Sequence, residues 1–137
     1  MISNQILQST IEGIKNISRV ELCVTDVEGK VLVTTFPEVE ISQNDIVTFA
    51  QSQADSQTMK NYQFFKVYDE HQLEYILIAN GGSEDVYMVG KIAAFQIQNL
   101  LVAYKERFDK DNFIKNLLLD NLLLVDIYNR AKKLHID

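Results

Sequence analysis

An α+β domain, an antiparallel sheet flanked by helices, is the fold class the sequence predicts. Three observations predict it: apolar residues at helical spacing in the opening segment, two pairs of short runs that alternate apolar with polar residues, and a long apolar stretch after the second pair. Each pair of runs is joined by a short polar turn, which makes two hairpins.

The opening segment places Ile6, Leu7, Ile11, Ile14 and Ile17 at helical spacing, so a helix is expected over residues 3–17. Gly13 lowers its intrinsic propensity, a loss that close packing would explain. From Arg19 the period changes to two. Val20, Leu22 and Val24 alternate with Glu21, Cys23 and Thr25, and a second β-branched run covers residues 30–36. Between them, Asp26-Val27-Glu28-Gly29 has the chemistry of a hairpin turn: a glycine for positive φ and an aspartate able to accept from the turn's own backbone. Pro37 ends the second strand because it lacks an amide donor.

Ser42 with Asp45 three residues on resembles a capping box, and Ile46, Val47, Phe49 and Ala50 give one apolar face to a helix reaching residue 53. The polar stretch 51–57 reads as a surface exit. Strands are expected at 62–68 and 73–79, paired antiparallel through Asp69-Glu70-His71-Gln72. Asn80-Gly81-Gly82-Ser83 then closes the hairpin, with Ser83 as helix cap and Glu84 and Asp85 against the positive end of the helix dipole.

The last helix is expected over residues 85–108, about 36 Å at 1.5 Å per residue, so its end should project beyond the strands. Val86, Val89, Gly90, Ala93, Ile97, Leu100, Leu101, Tyr104 and Phe108 form one stripe, while Ile92, Phe95 and Val102 lie off it. A helix apolar on more than one face has two partners, here the sheet and either a second subunit or the first helix. The order helix, hairpin, helix, hairpin, long helix is that of α+β sensors of the PAS, GAF or profilin type.

With 137 residues, 47% of them hydrophobic, the chain can support one domain with its own core. Its single cysteine, Cys23, sits in an apolar alternating run, which favours packing over a disulfide or a multi-cysteine metal site and fits a reducing compartment. The first residues lack the pattern of a secretory signal and no uninterrupted apolar run is long enough to span a bilayer, so a cytoplasmic protein without membrane contact is expected. Residues 1–104 carry 6 Lys and Arg against 13 Asp and Glu, a balance of −7, whereas residues 105–137 carry 7 against 6. An acidic body repels phosphate backbones, so this chain should not itself bind nucleic acid.

Catalysis has little to stand on. His71 falls in a turn and His135 in the tail, neither with partners at ligand spacing, and Asp26, Glu28 and Glu38 read as solvated surface. Gly81-Gly82-Ser83 before a helix could hold an anion, but without a phosphate fingerprint it reads as a turn and cap. No metal and no cofactor is implied. A small-molecule pocket between sheet and middle helix is the fairer candidate. Thr25, Thr34, Tyr75 and Asn80 would line it, Tyr62 and Tyr87 would be rim donors, and Lys66 or Lys91 would be the counter-charge of an acidic ligand. The competing reading is that these hydroxyls satisfy local backbone groups.

Within residues 108–137, Phe113, Ile114, Leu117 and Leu118 are followed by Arg130, Ala131, Leu134 and Ile136. This pattern, Phe-Ile-x-x-Leu-Leu and then Arg-Ala-x-x-Leu-x-Ile, resembles the segment of the CdaR/PucR family of bacterial transcription regulators that joins an amino-terminal sensor to a GGDEF-like domain and a helix-turn-helix. Met88-Val89-Gly90-Lys91-Ile92-Ala93 is similar to the start of that sensor's last helix. The resemblance implies a sensor domain over residues 1–108 and, over 109–137, a linker of two helices leading to an output region outside this chain. The implied function is signal sensing and dimerisation in a transcription regulator, with a small-molecule effector, no enzymatic activity, and DNA contacted only through domains absent from this chain. A ligand-free dimerisation or protein-interaction module is the alternative. Ile97, Leu101, Tyr104, Phe108, Leu118 and Leu122 are the residues expected at a homodimer or signalling interface.

Overall fold

A computed structural model describes residues 2–38, 40–80 and 85–134, with side chains described up to residue 107 and at 113–115 and 117–119. The chain is α+β, as expected. Its elements run α1 (Asn4–Ser18), β1 (Glu21–Thr25), β2 (Val31–Thr34), α2 (Gln43–Gln51), β3 (Ser56–Met59), β4 (Tyr62–Asp69), β5 (Gln72–Asn80) and α3 (Val86–Leu134). Contacts divide it into two units, Met1–Val102 and Ala103–Asp137.

In the first unit five strands form one antiparallel sheet in the order β2-β1-β5-β4-β3. Strand alternation sends successive side chains to opposite faces. Leu22, Val24, Phe65, Val67, Tyr75, Leu77 and Ala79 meet Leu7 and Ile11 of α1 and Val86, Ala93, Ile97 and Leu101 of α3 on one face. On the other, Cys23, Phe64, Ile76 and Ile78 meet Ile46 and Phe49 of α2. The sheet is thus filled on both sides. On the α2 side Phe49 meets the Phe64 ring edge-on, with centroids 5.6 Å apart.

Local chemistry explains most of the boundaries. The Ser3 hydroxyl caps α1 by accepting from the Ile6 amide at 3.3 Å, and Arg19 ends it in the left-handed region. Between β1 and β2, Asp26 Oδ1 accepts from the Glu28 and Lys30 amides, both at 2.9 Å, as the sequence leads one to expect. Gly29 sits at φ 86°, where a side chain is strained and a Cβ would lie 2.7 Å from Gln43 Cγ. The Gln43 amide donates to the Glu28 carbonyl at 2.9 Å, which docks the turn onto the start of α2.

Several expectations are corrected. Ser42 is the cap residue of α2, but its side chain makes no capping hydrogen bond, so there is no capping box. The supposed surface exit runs into β3, which pairs with Tyr62–Phe65 through a two-residue turn, Lys60-Asn61, with both residues at positive φ. Gly13 has nothing within 4 Å of where a Cβ would be, so close packing does not account for it. Within the second unit, residues 109–134 of the expected two-helix linker form a single helical run, consistent with the absence of Gly and Pro there. The Gly81-Gly82-Ser83-Glu84 corner and His135 lie outside the described residues.

Candidate functional site

The first unit contains the first turns of α3, and here the helix presents two apolar faces. Val86, Gly90, Ala93, Ile97 and Leu101, at steps of four and three, are buried against the sheet. Gly90 marks the closest approach: a Cβ there would meet the Phe65 ring at 2.2 Å, a distance no side chain tolerates. The opposite face carries Met88 (62% exposed), Ile92 (55%), Phe95 (64%) and Val102 (47%).

The assignment of faces is therefore the reverse of the expectation for two residues. Ile97 (0% exposed) and Leu101 (4%) belong to the core of their own chain and are not available to a second subunit. Ile92, Phe95 and Val102, which lie off the predicted stripe, are outermost, and Met88 joins them. The small residues Gly90 and Ala93 were the signal that could have identified the inner face, because a helix approaches a sheet most closely where its side chains are smallest. Among the other expected interface residues, Tyr104 and Leu118 are exposed within the second unit, and the side chains of Phe108 and Leu122 lie outside those described. Phe113, Ile114, Leu117 and Leu119 are exposed there too.

By length and composition alone, Val86–Arg107 could cross a membrane. Polar residues, Lys91, Gln96, Gln98 and Asn99 among them, interrupt its apolar run, and its inner face closes the sheet, which is the position of a core helix.

The residues expected to line a ligand pocket are dispersed. The Thr25 hydroxyl donates to the Asp26 carbonyl at 2.9 Å, and that of Thr34 accepts from the Phe36 amide at 3.0 Å, so both serve local backbone. Tyr75 is buried on the α1 and α3 face, away from α2. Its hydroxyl approaches the Ile2 backbone without the geometry of a hydrogen bond. Burial pushes its phenol pKa up, the Ile2 backbone opposes this, and the charges of Glu74 and Asp69 add to the rise. Asn80 and Tyr62 are a register pair at the other end of the sheet, where Tyr62 stacks on Phe36 with centroids 5.8 Å apart.

Tyr87 and Lys91 lie close to each other, while the Lys66 side chain runs to the α2 side of the sheet. Tyr87 stands 5.6 Å from the Phe65 ring, and Lys91 Nζ lies 5.9 Å from the Tyr87 ring. Lys66 donates to the Ser52 carbonyl and sits 5.3 Å from the Phe49 ring. Lys66 and Lys91 both line an open hollow of about 300 Å³ between β4 and α3, together with Asp55, Phe65, Tyr68, Ala94, Phe95 and Gln98. Among the described residues, no three of His, Cys, Asp and Glu come together as a metal site.

The fold and its outer helix face define an α+β module whose carboxyl-terminal helix both completes the core and offers an apolar surface. Compared with known proteins, the chain matches no protein-family model and no curated sequence.

Proposed function

We propose that this chain is the self-associating, signal-receiving module of a cytoplasmic transcription regulator of the CdaR/PucR type, and that two copies meet across the outer face of α3. One observation carries the self-association: residues 86–102 contain a single charge, Lys91, in a chain of net charge −6. Two identical acidic surfaces repel each other, so identical copies associate most easily where both are uncharged. The stripe of Met88, Ile92, Phe95 and Val102 is such a place, and its apolar side chains complement a second copy of themselves around a two-fold axis.

Four large side chains about half exposed offer on the order of 400 Å² of apolar surface, below the roughly 600 Å² that one partner of a stable interface contributes at the least. Association through this stripe alone should therefore be weak. The resemblance of residues 108–137 to the family's sensor-to-output connector supports the regulatory role.

Phe95→Glu tests the proposal by sedimentation or light scattering. It should abolish self-association while leaving the melting temperature within about 3 °C of the parent, since a surface substitution typically changes stability by less than about 0.5 kcal/mol. A parent chain that stays monomeric at hundred-micromolar concentration, or a Phe95→Glu chain that still dimerises as well, would sink the idea.

A further inference from the structure

We infer that the hollow between β4 and α3 is a binding site for a small aromatic carboxylate. This deepens the reading of the chain as signal-receiving; the site is formed within one chain and its first unit and needs no second copy, although Phe95 at its rim also belongs to the self-association stripe.

The chemistry follows from the lining. Phe65 is buried, Tyr68 is half-buried and Phe95 is exposed, so three aromatic residues from two elements border one space. Ala94, small and half-buried, leaves room between them. At about 300 Å³ the volume is at the lower end for ligand pockets and suits a single ring rather than a nucleotide or a peptide.

The charges give the ring its substituent. The side chain of Lys66 runs to the Ser52 carbonyl and the face of Phe49 on the α2 side of the sheet, so its ammonium supplies no charge to the hollow. Lys91 makes no ion pair among the described residues and lies only against the Tyr87 ring. It is the single cation on this part of α3, and Gln98, also in the lining, offers an amide donor. Asp55 enters from the segment before β3, where its carbonyl accepts from the Lys66 amide at 3.1 Å. Its carboxylate repels an anion, which orients the acid group of the ligand toward Lys91 and Gln98 on α3. Because the ring would rest on Phe65, directly under Gly90, occupancy bears on the contact that seats α3 on the sheet.

Benzoate, benzamide and acetate, titrated into the ¹⁵N-labelled full chain and followed by amide chemical shifts, test the site. Benzoate should give saturable, millimolar shifts confined to residues 65–68 and 91–98. It should bind about fivefold more tightly than benzamide, the increment expected of one solvent-accessible ion pair. Acetate, lacking a ring, should shift nothing. Lys91→Gln should erase the preference for benzoate over benzamide, and Ala94→Met, which fills the hollow, should abolish binding of both. Shifts that are absent or scattered, equal binding of the acid and the amide, or a preference that survives Lys91→Gln would each overturn the assignment. Light scattering on the same samples separates this result from the self-association proposal: a dimer that ignores benzoate refutes only the site, and a monomer that binds it refutes only the dimer.

Discussion

Cys23 lies fully buried in β1, facing α2 among Phe64, Ile76 and Ile78. Burial disfavours its thiolate and pushes the thiol from 9.0 up to about 11, with the Thr34 side chain pulling weakly the other way. The folded pKa lies above the unfolded one, so the stability contributed by the neutral thiol is fully present below pH 9 and is lost as pH rises toward 11. Between pH 8 and 10.5, denaturant unfolding of the parent should lose about 2 kcal/mol more than unfolding of Cys23→Ala. Tyr75 also has a raised pKa, but it is common to both proteins, and the difference isolates the thiol. Equal pH slopes for the two proteins would mean that the buried thiol is not the source. The alternation of residues 20–25 already marks Cys23 as a packing residue. It does not reveal that Thr25 and Thr34 spend their hydroxyls on neighbouring backbone, because such bonds depend on where the strands turn.

At the scale of elements, the two glycines Gly13 and Gly90 look alike in the sequence and do opposite things. Both lie in helices, where replacing Gly by Ala ordinarily stabilises by about 1 kcal/mol. Gly13 is exposed with open space around it, so Gly13→Ala should realise that gain and raise the melting temperature by several degrees. Gly90→Ala drives a methyl into the buried Phe65 ring, and overpacking of that kind costs about 1–3 kcal/mol, enough to cancel or reverse the helical gain. Phe65→Leu should suppress the cost in the double variant, a coupling that differential scanning calorimetry can measure. Additive behaviour of Gly90→Ala and Phe65→Leu would contradict the close approach. The overlooked strand β3 illustrates a different limit: four residues, Ser56–Met59, on a sheet edge with one partner carry little apolar pattern, and polar edges are how sheets avoid further pairing.

For the whole molecule, the two faces of α3 separate association from folding. Phe95 and Leu101 are both large apolar residues on one helix, yet their environments differ almost completely. Leu101→Glu places a carboxylate in the core among the partners of Ile97 and Leu7, and should lower stability by at least the 2–5 kcal/mol of a large-to-small core substitution. A circular-dichroism melt would register it as loss of the cooperative transition or a fall of ten degrees or more. Phe95→Glu should leave that transition in place. If Leu101→Glu instead melts like the parent while shifting only the oligomeric state, then the face assigned to the sheet is wrong.

The sequence by itself determined the α+β class, the two hairpins and their turns, and the presence of two apolar faces on the last helix. Those features rest on local periods of 2 and 3.6 residues and on turn residues such as Asp26 and Gly29, whose preferences act within a few positions of the chain. Only the tertiary structure decided that β1 pairs with β5 in the middle of the sheet, and that Ile97 and Leu101 turn inward while Ile92 and Phe95 turn out. It also brought Lys66, Lys91, Phe65 and Phe95 to one hollow. These are contacts between residues far apart in the chain, and in a helix apolar on two sides only the small residues Gly90 and Ala93 mark locally which side meets the sheet. The close fit of Gly90 against Phe65, a contact between α3 and β4, settles which side that is.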